Sequence, residues 1–404
     1  MHNIIIEKPY KFVPPHTGNW IPSAIQKLRL VDRYLAKHEG VTSHEIRGID
    51  HLKESLRQNK GVLLAPNHCR YADPLVMCWV AREIDTFVFA MASWHLFNQS
   101  RLQAWAIRIM GGFSVYREGL DRQSLDMAID ILVKAQRPLV VFPEGTVFRT
   151  NDVVQPLLDG VAFLARTAAR RRVKNGGGDV VIHPIAIKYL FHGDLETSVE
   201  PVITSIEQRL TWGKSVGRPL TERVLRIANA LMTLKELEYF GHAQQGSMAE
   251  RQKRMIDHLL SPLEIEWCSA VQKGNLISRI KQLRTKMVPN LTTGEISTAQ
   301  RDKIWRDLES IYLAQQVGSY PREYFMQPTT VTRVLETVER LEEDLTDRVR
   351  VHRPLHAVIQ IDEAITIGTD KAPKDAEDPI MVQLRCRLQA MLDVLAAEAR
   401  VFDQ

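Results

Sequence analysis

Gly61-Val62-Leu63-Leu64-Ala65-Pro66-Asn67-His68-Cys69-Arg70-Tyr71-Ala72-Asp73-Pro74 is the stretch from which the rest of the chain can be read. It begins with a short apolar run rich in Val and Leu, the composition of a buried strand. It ends on Asp-Pro, a pair suited to the first turn of a helix. Runs of the same kind recur at Thr86–Ala90, Phe113–Tyr116, Leu139–Phe142 and Val180–Ile182. Helical stretches such as Ser124–Gln136 and Pro156–Arg172 separate them. Strand and helix in alternation predict an α/β fold with a mostly parallel sheet covered by helices on both faces.

After Glu207 the pattern changes. Long amphipathic stretches replace the strands; Thr332–Arg350 sets Val334, Val338, Leu341 and Leu345 at helical spacing among acids. Strand-like sequence returns at His356–Ile361 and Ala364–Ile367, followed by a polar loop, Lys371–Pro379, and a last helix over Ile380–Arg400. The expected organisation is therefore an α/β core over 40–206, a large all-α insertion over 207–353, and a closing strand and C-terminal helix of the core over 354–404. No internal repeat is evident.

The 404 residues are 45% hydrophobic and 25% charged, with a net charge of +5. A mild basic balance suits a phosphorylated substrate or a lipid surface, and it is too dilute to suggest nucleic acid. Cys69, Cys78, Cys268 and Cys386 have no metal-ligand spacing and no disulfide pattern, which indicates a reducing compartment and no metal. The first fifteen residues do not resemble a signal peptide. The best candidate span, Thr86–Ser100, is too short to cross a bilayer.

Three constellations carry chemistry. His68 stands where its strand would leave the sheet, the usual position for sites in open α/β sheets. A tight loop there brings Asp73 to the imidazole, so that the carboxylate orients a base able to take a proton from a hydroxyl. A loop histidine beside an ordinary helix cap fits the same residues. Phe142-Pro143-Glu144-Gly145-Thr146 follows another strand and reads either as a polyol-binding loop or as a plain turn. Gly111-Gly112-Phe113-Ser114-Val115-Tyr116-Arg117 ends on an arginine suited to a phosphate, or on an ordinary surface arginine.

In this order and at these intervals the three blocks resemble the glycerol-3-phosphate and 1-acylglycerol-3-phosphate acyltransferase family, with its NHxxxxD, GxxFxxR-like and FPEGT signatures. A fourth block, an apolar strand containing proline, is matched by Val181-Ile182-His183-Pro184-Ile185-Ala186-Ile187. The resemblance implies His68 as base and Asp73 as its orienter. It implies Asn67, Arg117, Glu144, Gly145, Thr146 and Arg149 as substrate-binding residues. The partners it implies are a lysophospholipid acceptor, an acyl-CoA or acyl carrier protein donor, and a membrane surface, with no cofactor and no nucleic acid. The expected enzyme is an O-acyltransferase making phosphatidate from lysophosphatidate, peripheral on the cytoplasmic face of a membrane.

One departure affects the acceptor. The family usually has arginine directly after EGT, whereas this chain has Val147, with Arg149 two positions on. Glycerol-3-phosphate, another lysophospholipid or a lyso-aminolipid therefore remain alternative acceptors, and a non-catalytic lipid-binding protein on the same fold is a rival from another class. A hydrolase is disfavoured by the absence of a GxSxG elbow. The stripe Trp94, Phe97, Leu102, Trp105 and Ile109, with Arg101 and Arg108, reads either as a helix packed on the sheet or as a membrane-interface helix. Arg170-Arg171-Arg172 with Lys174 suits a helix C-terminus. The insertion is expected to cap the acyl-chain route or to hold a protein partner of unknown identity.

Overall fold

A computed structural model describes residues 5, 7–210, 217–292, 296–318, 325, 329–370 and 377–403. The chain divides into two compact units. One comprises His2–Leu190 and Pro354–Glu398, and the other Phe191–Arg353 with Ala399–Gln404.

The α/β unit opens with α1 (Trp20–Lys27), α2 (Leu30–Tyr34) and a π-turn (Leu35–Glu39). Then come β1 (Val41–Arg47), α3 (Ile49–Arg57), β2 (Gly61–Pro66), α4 (Asp73–Glu83), β3 (Phe89–Ser93), α5 (Leu96–Gln99), α6 (Arg101–Ile109) and β4 (Gly112–Val115). They are followed by α7 (Arg122–Lys134), β5 (Leu139–Val140), α8 (Gly160–Lys174) and β6 (Val180–Phe191). The sheet order is β1-β7-β6-β2-β5-β3-β4, where β7 is Leu355–Ile361, and β8 (Ile365–Thr366) pairs antiparallel with β6. β2 lies parallel to both β5 and β6 near the middle. All six residues of β2 and all twelve of β6 are buried, as expected of strands covered on both faces.

The sequence reading placed these strands correctly in kind, with differences at the edges. β3 lies three residues later than expected, because Asp85 takes a left-handed conformation and Thr86 closes the preceding helix on Ala81. β6 runs far past Ile182. β1 was not anticipated: it is an edge strand with only Val41 fully buried, so it lacks the apolar run that marks the others.

The stripe from Trp94 to Ile109 is not one helix face. Trp94 lies after β3, Phe97 on α5 and Ile109 on α6, all three buried, and Tyr10 packs edge-on against Trp94. Leu102 and Trp105 on α6 are exposed, at 74% and 49%. The arginines at the end of α8 are held inside the unit. Arg172 donates to the carbonyls of Gly178, Val133 and Asn59, Arg170 to Thr369, and Arg171 pairs with Asp126 and Asp130. No helix among the described residues is long and apolar enough to cross a membrane.

The helical unit contains α9 (Leu195–Arg209), α10 (Leu220–Phe240), α11 (Met248–Cys268), α12 (Leu276–Thr292), α13 (Thr298–Val317) and α14 (Val331–Thr346). α9 packs on α10 and α14, so this unit begins at Phe191, whereas the sequence reading started the insertion at 207. A repeat invisible in the apolar pattern appears in its ion pairs. Arg223 of α10 pairs with Glu207 of α9, Arg251 of α11 with Glu236 of α10, and Arg279 of α12 with Glu264 of α11. Each arginine stands 28 residues after the last, and each binds its glutamate through two nitrogens.

The chain returns to the α/β unit through β7 and β8 and ends it with α15 (Pro379–Ala396). Asp378 caps this helix at the Ile380 N–H and is gripped by Arg166 of α8 at 2.7 Å. The expected polar loop Lys371–Pro379 lies outside the described residues up to 376.

Candidate active site

At the end of β2, Asn67 carries the chain out of the sheet. Its Oδ1 accepts the Ile187 N–H at 2.7 Å and its Nδ2 donates to the Ile187 carbonyl at 3.0 Å. Both ends of the amide are therefore engaged by β6, and the side chain is buried. Asn67, expected among the substrate-binding residues, continues the β2–β6 pairing beyond Pro66.

His68 follows. Its Nδ1 lies 2.9 Å from Oδ2 of Asp73, and its ring stacks on Phe142 at 4.3 Å between centroids. The side chain is 15% exposed, whereas that of Asp73 is completely buried. Asp73 is not the cap of α4, as the Asp-Pro pair suggested; it is the first residue of the helix, after Ala72. Its carboxylate turns back to accept from the Arg70 N–H at 2.9 Å on Oδ2 and from the Tyr189 hydroxyl at 2.7 Å on Oδ1. The Cys69 thiol lies 3.8 Å from Oδ1 and is buried. With Nδ1 directed at a carboxylate, Nε2 is the imidazole nitrogen left to act on another group.

Glu144 lies in the turn after β5, closed by a bond from the Gly145 N–H to the Phe142 carbonyl. Gly145 has φ +72°, a conformation that costs a side chain roughly 1–2 kcal/mol. A Cβ there would also meet Leu158 at 2.7 Å, with Nη2 of Arg117 3.8 Å away. The second and third blocks thus converge: Arg117, after β4, reaches the loop that carries Glu144. Glu144 is almost fully buried and its Oε1 has no hydrogen-bond partner. Burial, aided by the charge of Asp73, pushes its carboxyl up to about 8, against the pull of backbone N–H groups at Gln155 and His68.

Thr146 and Val147 are half-buried beside this turn. Arg149 is 7% exposed, adopts φ +51°, and lays its guanidinium 5.3 Å from the ring centre of Tyr71 in the histidine loop. The Phe148 N–H bonds to the His68 carbonyl, which ties the two loops together. Behind them, Lys188 pairs with Asp152 where both are wholly buried, Asn151 accepts from the Tyr189 N–H at 2.6 Å, and Gln389 of α15 holds the backbone of Asp152 and Val154. Tyr189, Lys188, Asp152 and Tyr71 did not enter the sequence reading as site residues. An ionisable Lys188 inside an apolar run was the available signal. Among the described residues no cluster suits a metal ion.

The α/β fold thus sets a buried carboxylate behind a histidine at the carboxyl end of a central parallel strand, with an arginine and a second carboxyl on neighbouring loops. Residues 48–188 match the family model described as Acyltransferase. It is also similar to a protein of Streptococcus pneumoniae (strain ATCC BAA-255 / R6) named 1-acyl-sn-glycerol-3-phosphate acyltransferase, with 32% identity over 114 residues. That alignment covers 28% of this chain and 40% of the relative, so the chain spans two fifths of the length of that protein.

Proposed function

We propose that this protein transfers a fatty acyl group from acyl-CoA or an acyl carrier protein to the hydroxyl of lysophosphatidate, without a cofactor. The observation that carries the reading is the 2.9 Å contact between His68 Nδ1 and the buried Asp73. It fixes the tautomer in which Nε2 lacks a proton and can take one from the acceptor hydroxyl. As that oxygen attacks the thioester carbonyl, Asp73 stabilises the imidazolium; the imidazolium then supplies a proton to the departing thiolate. Arg117 and Arg149 are the candidate phosphate ligands, and Glu144, Gly145 and Thr146 form the acceptor loop. A substrate with an acyl chain places the enzyme at a lipid surface, and we assign it a peripheral site on the cytoplasmic face.

A second acceptor class stays in view because Val147 replaces the arginine that usually follows EGT. Purified protein incubated with labelled acyl-CoA and a panel of lyso-acceptors separates the cases. Phosphatidate as the main product, with turnover lowered about 10²–10⁴-fold in His68→Ala and less in Asp73→Asn, is the expected result. Normal turnover by a folded His68→Ala variant would overturn the mechanism. Acylation of glycerol-3-phosphate or another lysophospholipid in preference to lysophosphatidate would move the acceptor.

A further inference from the structure

β6 delivers two successive polar side chains to opposite faces of the sheet, as the pleat of a strand requires. Lys188 points to Asp152, and Tyr189 points to Asp73. Tyr189 lies one position beyond the segment that matches the family model. It is fully buried, and its hydroxyl is 2.7 Å from Oδ1 of Asp73, the carboxylate oxygen that His68 does not use. Nothing in the His68–Asp73 pairing itself requires a phenol at this place.

A carboxylate with no solvent exposure stays ionised only if donors replace the water it has lost. The groups around Asp73 are His68 Nδ1 and the Arg70 N–H on Oδ2, the Tyr189 hydroxyl and the weakly donating Cys69 thiol on Oδ1, and the Arg70 and Glu144 side chains nearby. Among the described residues Tyr189 is the strong neutral donor on Oδ1. From this arrangement we infer that Tyr189 is a positioning residue for the proposed acyl transfer: its hydroxyl holds the Asp73 carboxylate oriented so that it keeps His68 in its productive tautomer. The inference rests on His68 being the base. Burial and the adjacent Asp73 charge raise the phenol well above its ordinary value, so Tyr189 keeps its proton and acts only as a donor.

The backbone independently fixes the phenol. The Tyr189 N–H bonds to Asn151 Oδ1 at 2.6 Å, and the guanidinium of Arg70 lies 5.6 Å from the centre of its ring. The ring is thus held by contacts that a phenylalanine would keep, and Tyr189→Phe removes the hydroxyl alone.

Tyr189→Phe should lower kcat by about 10- to 100-fold, the loss expected for one hydrogen bond to a buried ionised group, while both KM values change less than about threefold. Without that donor more negative charge stays on Asp73, which favours the protonated imidazole. The acid limb of the pH–rate profile should therefore move to higher pH. Replacing Tyr189 with 3-fluorotyrosine, a stronger donor of nearly the same size, should move that limb the opposite way, and it keeps the test open if the phenylalanine variant misfolds. An unchanged kcat and pH profile in either folded variant would overturn the inference. So would a change confined to unfolding midpoint. His68→Ala assayed alongside separates the two levels: an active His68→Ala refutes the underlying reaction, whereas an inactive His68→Ala beside a normal Tyr189→Phe refutes only the role of Tyr189.

Discussion

Asn67 and Ile187 are joined by two hydrogen bonds, from the Ile187 N–H to Asn67 Oδ1 at 2.7 Å and from Asn67 Nδ2 to the Ile187 carbonyl at 3.0 Å. One side chain thus takes over the pairing of β6 where the backbone of β2 turns away towards His68. Asn67→Ala would leave the buried Ile187 N–H without this partner and its carbonyl with the weak Cys69 thiol donor, at roughly 1–3 kcal/mol for each bond lost. Urea denaturation should show a stability loss of about 2–4 kcal/mol. The KM values of the protein that remains folded should stay near wild type, which a substrate-contacting asparagine would not allow.

Glu144 links stability to pH. Its carboxyl ionises near 8 in the folded protein and near 4.5 as an ordinary side chain, so between these values the folded state holds a proton that the unfolded chain releases. The stability due to that proton is complete below about 4.5 and is lost as the pH rises through about 8. The slope is about 1.4 kcal/mol per pH unit at most. Glu144→Gln, which never ionises, should remove this slope, so that the variant gains on wild type as the pH rises. Parallel curves for the two proteins from about pH 5 to 8 would mean that Glu144 is ionised throughout.

In the helical unit, the pairs between successive helices separate the cost of breaking a contact from its net value. Glu236 has no solvent exposure and is bound by Arg251 at 2.7 and 2.8 Å. Arg251→Ala removes its ion-pair partner, leaving the Gln244 N–H as donor, and should cost about 3–5 kcal/mol in chemical denaturation. Replacing both partners with apolar residues of similar volume should recover most of the loss. If the double variant is as unstable as the single one, the pair fixes the packing of α10 on α11 in a way that apolar contacts cannot replace.

Leu102 and Trp105 leave an apolar edge on α6 beside the exposed Arg101. On the peripheral reading this face enters the headgroup layer, with arginine near anionic lipid. Leu102→Ser with Trp105→Ser should lower co-sedimentation with anionic vesicles about tenfold or more, given about 1.5–3 kcal/mol per buried large side chain. Turnover of a dispersed short-chain substrate should be unchanged. Vesicle binding equal to wild type would remove this face from consideration.

What the sequence disclosed follows from distance along the chain and from burial. The strand before His68 was legible because β2 is buried on both faces and thus continuously apolar. The His68–Asp73 pair was legible because the partners are five residues apart. Tyr189 reaches Asp73 across 116 residues, and no local pattern registers such a contact. β1 was missed for the opposite reason, since an edge strand alternates little and exposes much. The ion pairs of the helical unit were hidden because a buried glutamate on an amphipathic helix reads as one more solvated acid. The bonds of Asn67 to Ile187 were not legible because a motif records which residues recur together without distinguishing those that face a substrate from those that hold the loop.

On the proposed reading, Arg117 and Arg149, near the Glu144 loop, decide what headgroup fits there. A phosphate monoester carries nearly two negative charges at neutral pH and is best held by planar guanidinium forks. Val147 offers neither charge nor donors. Arg117 comes within 3.8 Å of the position a Cβ on Gly145 would occupy, whereas Arg149 is buried and lies over Tyr71. Arg117 is the less buried of the two, and on the proposed reading Arg149 must leave or share the Tyr71 ring to reach a phosphate. Arg117→Ala should therefore raise the KM for lysophosphatidate about 10- to 100-fold, the equivalent of roughly 1.5–3 kcal/mol for a charged hydrogen bond, with little change in the KM for acyl-CoA. Arg149→Ala should raise it less, and Tyr71→Leu, which removes the ring the guanidinium lies over, should lower it if Arg149 takes part. Equal losses in Arg117→Ala and Arg149→Ala would indicate a two-arginine clamp. If neither substitution alters lysophosphatidate kinetics, the acceptor lacks a terminal phosphate, and a lysophospholipid with a substituted headgroup or a lyso-aminolipid takes its place.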